Sequence, residues 1–216
     1  MTPTQSRACT VLLSLAFAGL TACSTTSTKF VNTWKAPDSA PLSVKQGDLV
    51  VCMVIVKQES TRRSEEQVLC EELRKRGLRP IPSYTLIPTD QVQDREKALA
   101  AIQASGAAAV FALRPVAVNQ QQTYVPPTYM GGAGPYGSWG PYYGYGWNAA
   151  YSPGYVVTDT VVRVEMLVYD LRQGKLLWAA QSDTTNPSEL DNFVAELVKQ
   201  GAAQMARDGV IAAPAS

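Results

Sequence analysis

Eight consecutive apolar residues, Leu49-Val50-Val51-Cys52-Met53-Val54-Ile55-Val56, interrupt an otherwise mixed part of the 216-residue chain. The run has the length of a β-strand and is rich in β-branched side chains. A strand that is apolar at every position is typical of one covered on both faces. We therefore predict that it lies at the centre of a sheet with helices packed on it.

The residues that follow predict a helix. It is expected to begin at about Ser60 or Ser64, where Ser64-Glu65-Glu66-Gln67 has the pattern of a capping box. Basic residues near its end complement the helix dipole, and Gly77 ends it. Its apolar positions are Val68, Leu69 and Leu73.

Two strands and a second helix come next. The first strand is interrupted by Pro80 and Pro82, so it belongs at an edge or a bend of the sheet. The helix is predicted to turn Leu99 and Ile102 inward, and Pro115 is expected to bend the second strand. These elements are predicted at residues 79–84, 90–105 and 107–118.

The last third of the chain predicts a hairpin and a helix. Polar and apolar residues alternate over residues 156–170, as in a half-exposed antiparallel strand, and a turn leads into a partner strand at residues 175–182. The final helix is expected to open at Asn186-Pro187-Ser188-Glu189, with Asn186 as its N-cap. The order β-α-β-α-β-β-β-α predicts a single α/β (α+β) domain with a mixed sheet.

The N-terminus carries the pattern of a lipoprotein signal. An uncharged run at residues 8–20 has the length of a signal-peptide apolar region and is too short to span a bilayer. It ends in Leu20-Thr21-Ala22-Cys23, which resembles the lipobox of bacterial lipoproteins. We predict cleavage between Ala22 and Cys23 and lipidation of Cys23. An ordinary signal peptide cut after Ala16-Phe17-Ala18 is the alternative, although that site lies inside the apolar run.

The lipid would anchor the protein to a membrane without spanning it. Two or three acyl chains make release negligible. In enteric lipoproteins, an aspartate after the lipidated cysteine retains the protein in the inner membrane. This chain has Ser24 at that position, so we expect the outer membrane. The domain is expected to face the periplasm, and exposure at the cell surface is the alternative. The predicted parts are a signal peptide (1–22), a lipidated cysteine and tether (23–47) with a possible edge strand (29–34), the α/β domain (48–209) and a tail (210–216).

Charge and composition exclude several function classes. Removing the signal peptide, which contains Arg7 and no acidic residue, leaves 18 basic and 18 acidic side chains. A nucleic-acid-binding surface needs clustered excess Lys and Arg, so we expect no nucleic acid as partner. The chain contains no histidine, which removes Ser-His-Asp and Cys-His sites and His-ligated metals. We expect no catalytic residues, no metal and no cofactor, and thus no enzyme.

Two cysteines remain after lipidation and cleavage. Cys52 is predicted on the apolar strand and Cys70 on the next helix. Packed layers stand about 10 Å apart, which strains the ~7 Å Cα separation that a disulfide allows. Two buried free thiols are the preferred interpretation, and a disulfide is the alternative.

Residues 115–158 form an uncharged stretch of 44 residues that contains eight of the ten tyrosines. An insertion at about 119–155 is rich in glycine and proline, which disfavour a helix or an interior strand, so a long loop is predicted. Either the loop is mobile and of low complexity, or its aromatic side chains bind a protein or a glycan. The candidate binding residues are Tyr124, Tyr129, Tyr136, Trp139, Tyr142, Tyr143, Tyr145, Trp147 and Tyr151.

A glycine pattern in this insertion matches a nucleotide-binding motif by spacing alone. Gly132, Gly134 and Gly137 spell G-x-G-x-x-G, which binds dinucleotides only between a strand and a helix. Pro135, Trp139, Gly140 and Pro141 are expected to prevent a helix from following. We therefore reject nucleotide binding.

Other polar and aromatic residues receive structural interpretations. Asp159 and Glu165 lie about 20 Å apart along one strand, too far to flank a glycosidic bond, and Asp170 suits a turn. Arg62-Arg63 beside Glu65-Glu66 is interpreted as a solvated helix start, with a switch or docking role as the alternative. Trp34 and Trp178 are expected to serve packing.

The chain resembles a family of bacterial lipoproteins known as domain of unknown function 4136. The resemblance implies a lipid-anchored α/β domain and brings no catalytic residues. It rests on the lipobox, the Tyr/Gly-rich insertion, Arg62-Arg63-Ser64-Glu65-Glu66, Pro82-Ser83-Tyr84-Thr85-Leu86 and Val168-Tyr169-Asp170-Leu171-Arg172-Gln173-Gly174-Lys175-Leu176-Leu177-Trp178. Together these observations predict a non-enzymatic envelope lipoprotein that binds a protein partner through the insertion. A cell-wall or surface-glycan binding module is the alternative.

Overall fold

The computed structural model describes residues 26–37, 39–42, 44–126, 138–151 and 154–211. These residues form a six-stranded mixed sheet in the order β1-β6-β5-β4-β2-β3. Strand β2 runs parallel to β3 and β4, and the other neighbours are antiparallel. The strands are β1 (Ser27–Lys35), β2 (Leu49–Val54), β3 (Arg79–Pro82), β4 (Ala109–Val125), β5 (Tyr155–Asp170) and β6 (Lys175–Thr185).

Four helices accompany the sheet in the described residues, and the predicted α/β class is confirmed. Helices α1 and α4 share one hydrophobic core with one face of the sheet, and α2 contributes to a second core on the other face. Short 3₁₀ turns at Ser83–Thr85 and Thr89–Gln91 connect β3 to α2. The helices are α1 (Glu59–Arg74), α2 (Arg95–Ala104), α3 (Trp139–Tyr151) and α4 (Leu190–Arg207).

Strand β2 is the apolar run that the sequence places inside the sheet. Val50, Val51 and Cys52 are fully buried, and successive side chains enter the two cores alternately, as a strand covered on both faces requires. The strand pairs on both sides but lies next to the edge strand β3, so it is interior rather than central. It ends at Val54, and Ile55 beyond it is half exposed.

The connections around β2 create a crevice. The chain leaves β2 through α1 to β3 on one side, then returns through α2 to β4 on the other side. Because α1 and α2 lie on opposite faces, the crossover direction reverses between β2 and β4. In open α/β sheets, the carboxyl ends of the strands at such a reversal are where ligands bind.

Several local predictions are confirmed. Strand β1 forms the edge next to β6, and the register of β4 shifts between Pro115 and Ala117 where the proline was expected to bend it. Gly77 follows α1 with φ +81, the left-handed conformation that ends a helix at low cost in glycine. Asp170 lies at the end of β5, beside the turn into β6.

Three details of the helix predictions are wrong. Helix α1 begins at Glu59, which agrees with the predicted start near Ser60, but the alternative start at Ser64 is wrong because Ser64 lies inside the helix and caps nothing. Asn186 does not cap α4, because the helix starts at Leu190 and Asn186 adopts φ +47 between β6 and the helix. Its side chain instead accepts the Thr160 N–H at 2.9 Å. Leu99 is 48% exposed, since only the Ile102 side of α2 reaches the sheet.

The described part of the predicted long loop is mostly strand and helix. Strand β4 continues to Val125 and β5 starts at Tyr155, so the two strands form a two-stranded arm beyond the rest of the sheet. Helix α3 occupies residues for which glycine and proline predicted a loop. Pro141 falls in its first turn, where no intrahelical N–H bond is lost, and this explains why the helix tolerates it.

Candidate functional site

Helix α3 presents one continuous aromatic surface. Trp139, Tyr142, Tyr143 and Trp147 follow the i, i+3, i+4, i+8 spacing that places side chains on one side of a helix. We call these four residues the aromatic face. Their exposed fractions run from 44% for Tyr142 to 73% for Trp139.

The rings of the aromatic face lie against one another. The Trp139 ring centroid stands 6.1 Å from that of Tyr142 and 5.8 Å from that of Tyr143, and Tyr143 stands 6.1 Å from Trp147 in an edge-to-face arrangement. Such spacings are typical of favourable aromatic pairs. The face is therefore organised along the helix before any partner covers it.

The aromatic face is joined in sequence to the two-stranded arm. Beyond the pairing with β6, residues 120–125 of β4 pair with residues 155–160 of β5 and extend about 20 Å at the usual rise per residue. Gly154 lies so close to Val125 and Tyr124 that an added Cβ would come within 2.2 Å of the Val125 carbonyl oxygen and 2.6 Å of the Tyr124 hydroxyl oxygen. No residue of α3 belongs to either core among the described residues.

The remaining binding candidates divide into three groups. Tyr124 is exposed on the arm, and Tyr145 is partly exposed on α3. Tyr151 is the last residue of α3. The predicted cleavage and lipidation residues and two tyrosines of the insertion lie outside the described residues: Ala22, Cys23, Tyr129 and Tyr136.

The two tryptophans expected to pack behave differently. Trp178 is 1% exposed, and its indole N–H donates to Asp208 Oδ2 at 2.8 Å. Trp34 lies on the edge strand β1 and is 45% exposed. Trp178 is thus a core residue, whereas Trp34 is a half-exposed residue of an edge strand.

The acidic candidates do not converge on one site. Asp170 is 2% exposed and accepts the Arg172 N–H at 2.9 Å and the Gln173 N–H at 3.1 Å, which fixes the turn between β5 and β6. Glu165 pairs with Arg114 at 2.8 Å, and Asp159 accepts from the Asn186 amide at 2.7 Å. Each carboxylate therefore has a structural partner. No cluster of three metal-ligating side chains occurs in the described ranges.

A buried polar cluster stands where the sequence predicted a solvated helix start. Arg62, Glu65 and Glu66 are 6%, 2% and 0% exposed, so that prediction is wrong for these three side chains. Because α1 begins at Glu59, Arg62 and Glu66 lie in its first two turns and face the end of β2 and the segment after β3. Arg63, by contrast, does lie at the surface.

Glu66 is the centre of this cluster. Its Oε1 accepts the Val54 N–H at 3.2 Å, the Ser83 hydroxyl at 2.5 Å and the Arg62 Nε–H at 3.3 Å. Its Oε2 accepts the Tyr84 N–H at 2.9 Å. A buried carboxylate with one cation and several donors is adequately satisfied. The cluster therefore joins β2, α1 and the turn after β3.

Arg62 completes the connection. Its Nη2 donates to the Ser83 hydroxyl oxygen at 3.0 Å and to the Ile87 carbonyl at 3.2 Å. The cluster thus joins residues 62–66 to residues 82–86, two segments that are separate in the sequence. The i, i+4 spacing of Arg62 and Glu66 was the available signal, but spacing alone does not distinguish a buried pair from an exposed one.

The two cysteines are free and buried, as the preferred interpretation predicted. Cys52 lies on β2 and Cys70 on α1, within the same core. A hydrogen bond to Cys70 and burial together raise the pKa of the Cys52 thiol. A thiol in this state is a poor nucleophile.

Comparisons with known proteins give a likeness of fold. No family model and no curated protein matches the chain, so the resemblance to the domain of unknown function 4136 family is not confirmed. A PelC dodecamer from Paraburkholderia phytofirmans matches at 16% identity with a TM-score of 0.39, over 82% of this chain and 94% of that one. Lipoprotein GNA1162 from Neisseria meningitidis matches at 14% identity with a TM-score of 0.38, over 74% and 99%.

A third solved structure, a PDZ domain protein from Parabacteroides distasonis, matches at 10% identity with a TM-score of 0.35. The match covers 83% of this chain but only 36% of that protein. Along the described part of the chain, no helix is both long and apolar enough to cross a bilayer.

Proposed function

We propose that the chain is a non-enzymatic, lipid-anchored protein of the bacterial outer membrane that faces the periplasm and binds another envelope protein through the aromatic face. The observation that carries the proposal is the exposure of Trp139, Tyr142, Tyr143 and Trp147 on one side of α3. Exposed aromatic clusters are typical of interaction surfaces.

The chemistry of the aromatic face favours a protein partner. Tyr and Trp supply large contact areas at low cost in side-chain entropy, and they are enriched among the residues that dominate protein interfaces. Residues 115–158 carry no charge, so desolvating this region removes no ion from water. Sugar-binding sites add fixed carboxylates or amides to the aromatic platform. Residues 115–158 contain no carboxylate, and their amide side chains are Asn119, Gln120, Gln121, Gln122 and Asn148.

The lipid and the aromatic face would have separate roles. Acyl chains on Cys23 would supply the membrane affinity, since two or more chains anchor stably. The aromatic face is then not needed as an anchor. We expect Cys23→Ser to abolish palmitate labelling and to leave the precursor uncleaved. Continued processing to the normal size would contradict lipidation at Cys23.

The partner is tested by photo-crosslinking in living cells. A photoreactive phenylalanine in place of Tyr143 is expected to trap a protein adduct. The matched control carries the same group in place of Leu99, which has similar exposure on α2 and lies outside the arm. Absence of any adduct at position 143, or equal adducts at both positions, would contradict the proposed interface.

Glycan binding is separated by co-sedimentation with purified cell walls. The full chain and the Trp139→Ala/Trp147→Ala variant are compared at equal concentration. We expect the wild type and the variant to pellet with the cell walls to the same extent, because the aromatic face does not bind glycan. Pelleting of the wild type that the double substitution abolishes would favour the glycan-binding module over the protein-binding one.

A further inference from the structure

A pocket of about 310 Å³ lies between α1, α4 and the sheet. It opens at the carboxyl end of β2, beside Val54, and at Leu113, where β4 stops pairing with β2. This is the crevice where the crossover direction reverses between β2 and β4. The α4 side of the pocket is formed by Leu190, Phe193, Val194 and Leu197.

One carboxyl group faces this apolar pocket. Glu65 is 2% exposed and lines the pocket from α1. Its Oε2 atom is buried and has no hydrogen-bond partner among the described residues. A buried polar atom without a partner is costly, so native structures retain one where it serves a purpose.

The surroundings of Glu65 contain negative charge and no cation. Asp191, in the first turn of α4, is the charged group that faces it, and the residues contributed by β2, β4 and β5 are apolar. Burial, and then the nearby negative charge of Asp191, raise the pKa of Glu65 to about 7. Arg62, one turn earlier on α1, is bound to Glu66 and Ser83.

We propose that this pocket binds a small amphiphilic amine, with an apolar body against the sheet and α4 and an ammonium group paired with Glu65. Charge complementarity selects the head group, because Glu65 lines the pocket, Asp191 lies near Glu65, and no basic residue is among the described residues of the lining. The apolar walls select the body. The volume lies at the lower end of the range for small-molecule sites, which favours a ligand with one ring or a short chain.

The proposal is tested by titrating the full chain with 2-phenylethylamine, 2-phenylethanol and 3-phenylpropanoate, which differ mainly in the charge of the head group. Methyl NMR signals of Val54, Leu113 and Val194 report occupancy of the pocket. Above pH ~7 the amine is expected to bind at least about tenfold more tightly than the alcohol, as a charge-assisted hydrogen bond allows. The carboxylate is expected not to bind.

Two variants make the test specific. Glu65→Gln keeps the size of the side chain and is expected to reduce the affinity for the amine to that for the alcohol. Glu71→Gln removes the same charge from an exposed position of α1 and should leave the preference unchanged. Equal affinities for amine and alcohol would show a purely apolar site. Preference for the carboxylate, no saturable shift at the pocket signals, or an unaltered preference in Glu65→Gln would also overturn the proposal.

Discussion

Helices α1 and α3 reverse the usual distribution of side chains. Over residues 62–66, helix α1 buries an arginine and two glutamates, whereas α3 leaves two tryptophans and two tyrosines in solvent. Buried charged residues need partners, and those at Arg62 and Glu66 have them. The exposed aromatic residues of α3 belong to neither core. We therefore expect them to contribute to binding and not to the free energy of unfolding.

Residue type alone therefore does not determine which side chains are buried. The charged pattern of α1 holds three segments together, and the aromatic pattern of α3 holds nothing in either core. Substitutions at the two sites should therefore affect different measurements. Stability should respond to α1 and the core, and binding should respond to α3.

The largest contrast is expected between two tryptophans. Trp178→Ala should lower the free energy of unfolding by about 3–5 kcal/mol, because it opens a cavity in the core and removes a donor from Asp208. Trp139→Ala should change it by less than about 0.5 kcal/mol. Urea unfolding followed by circular dichroism measures both. A large loss in Trp139→Ala would show that the aromatic face belongs to the fold.

The next contrast compares adjacent arginines of α1. Arg62→Met should cost about 3 kcal/mol, because Glu66 stays buried without its cation. Arg63→Met should cost less than about 1 kcal/mol, since Arg63 is exposed and loses a surface pair with Glu59 and a contact with the Tyr84 ring. Urea unfolding again provides the measurement.

A double substitution checks the cause of that loss. Arg62→Met combined with Glu66→Leu removes both charges, so it should recover part of the stability lost in Arg62→Met alone. A double variant that is less stable than the single one would show that the donors around Glu66, and not its charge balance with Arg62, dominate the cluster.

Much of the fold could be predicted from local patterns. The apolar run of β2, the alternation in β5 and the glycine after α1 each depend on nearby residues, so most of these element positions follow from the sequence. The predicted caps at Ser64 and Asn186 were wrong. At Asn186 the side chain bonds to β5, a contact 26 residues away that the capping pattern does not include.

The candidate site was less predictable for two physical reasons. Burial of Arg62 and Glu66 depends on Ser83 and Val54, which only the folded chain brings near α1. Helix α3 forms although its glycines locally disfavour a helix. It belongs to the insertion that connects the two strands of the arm. The aromatic residues themselves could be identified, because exposure of an uncharged aromatic segment depends mainly on composition.

The free energy of unfolding is expected to depend on pH through Glu65. Its folded-state pKa of about 7 lies above its ordinary value of 4.5. The folded state therefore binds the proton more tightly than the unfolded state, and stability should fall as pH rises between these values, by about 3 kcal/mol in total. Glu65→Gln should remove most of this fall. Urea unfolding at several pH values tests it, with Glu71→Gln as the control, and parallel curves for wild type and Glu65→Gln would contradict it.

The smallest expected effect tests whether α3 holds the aromatic face in place. A Cβ added at Gly144 meets open space, and position 144 lies on the side of the helix away from the aromatic face. Gly144→Ala should thus stabilise α3 by up to about 1 kcal/mol and slow hydrogen exchange of its amides by up to about fivefold. Gly77→Ala is the opposite control, because φ +81 and contact with Gln46 at 3.0 Å make a side chain unfavourable there. Unchanged exchange in Gly144→Ala would mean that the ring spacing is not maintained by a helix, and crosslinking at Tyr143 would then report a flexible segment.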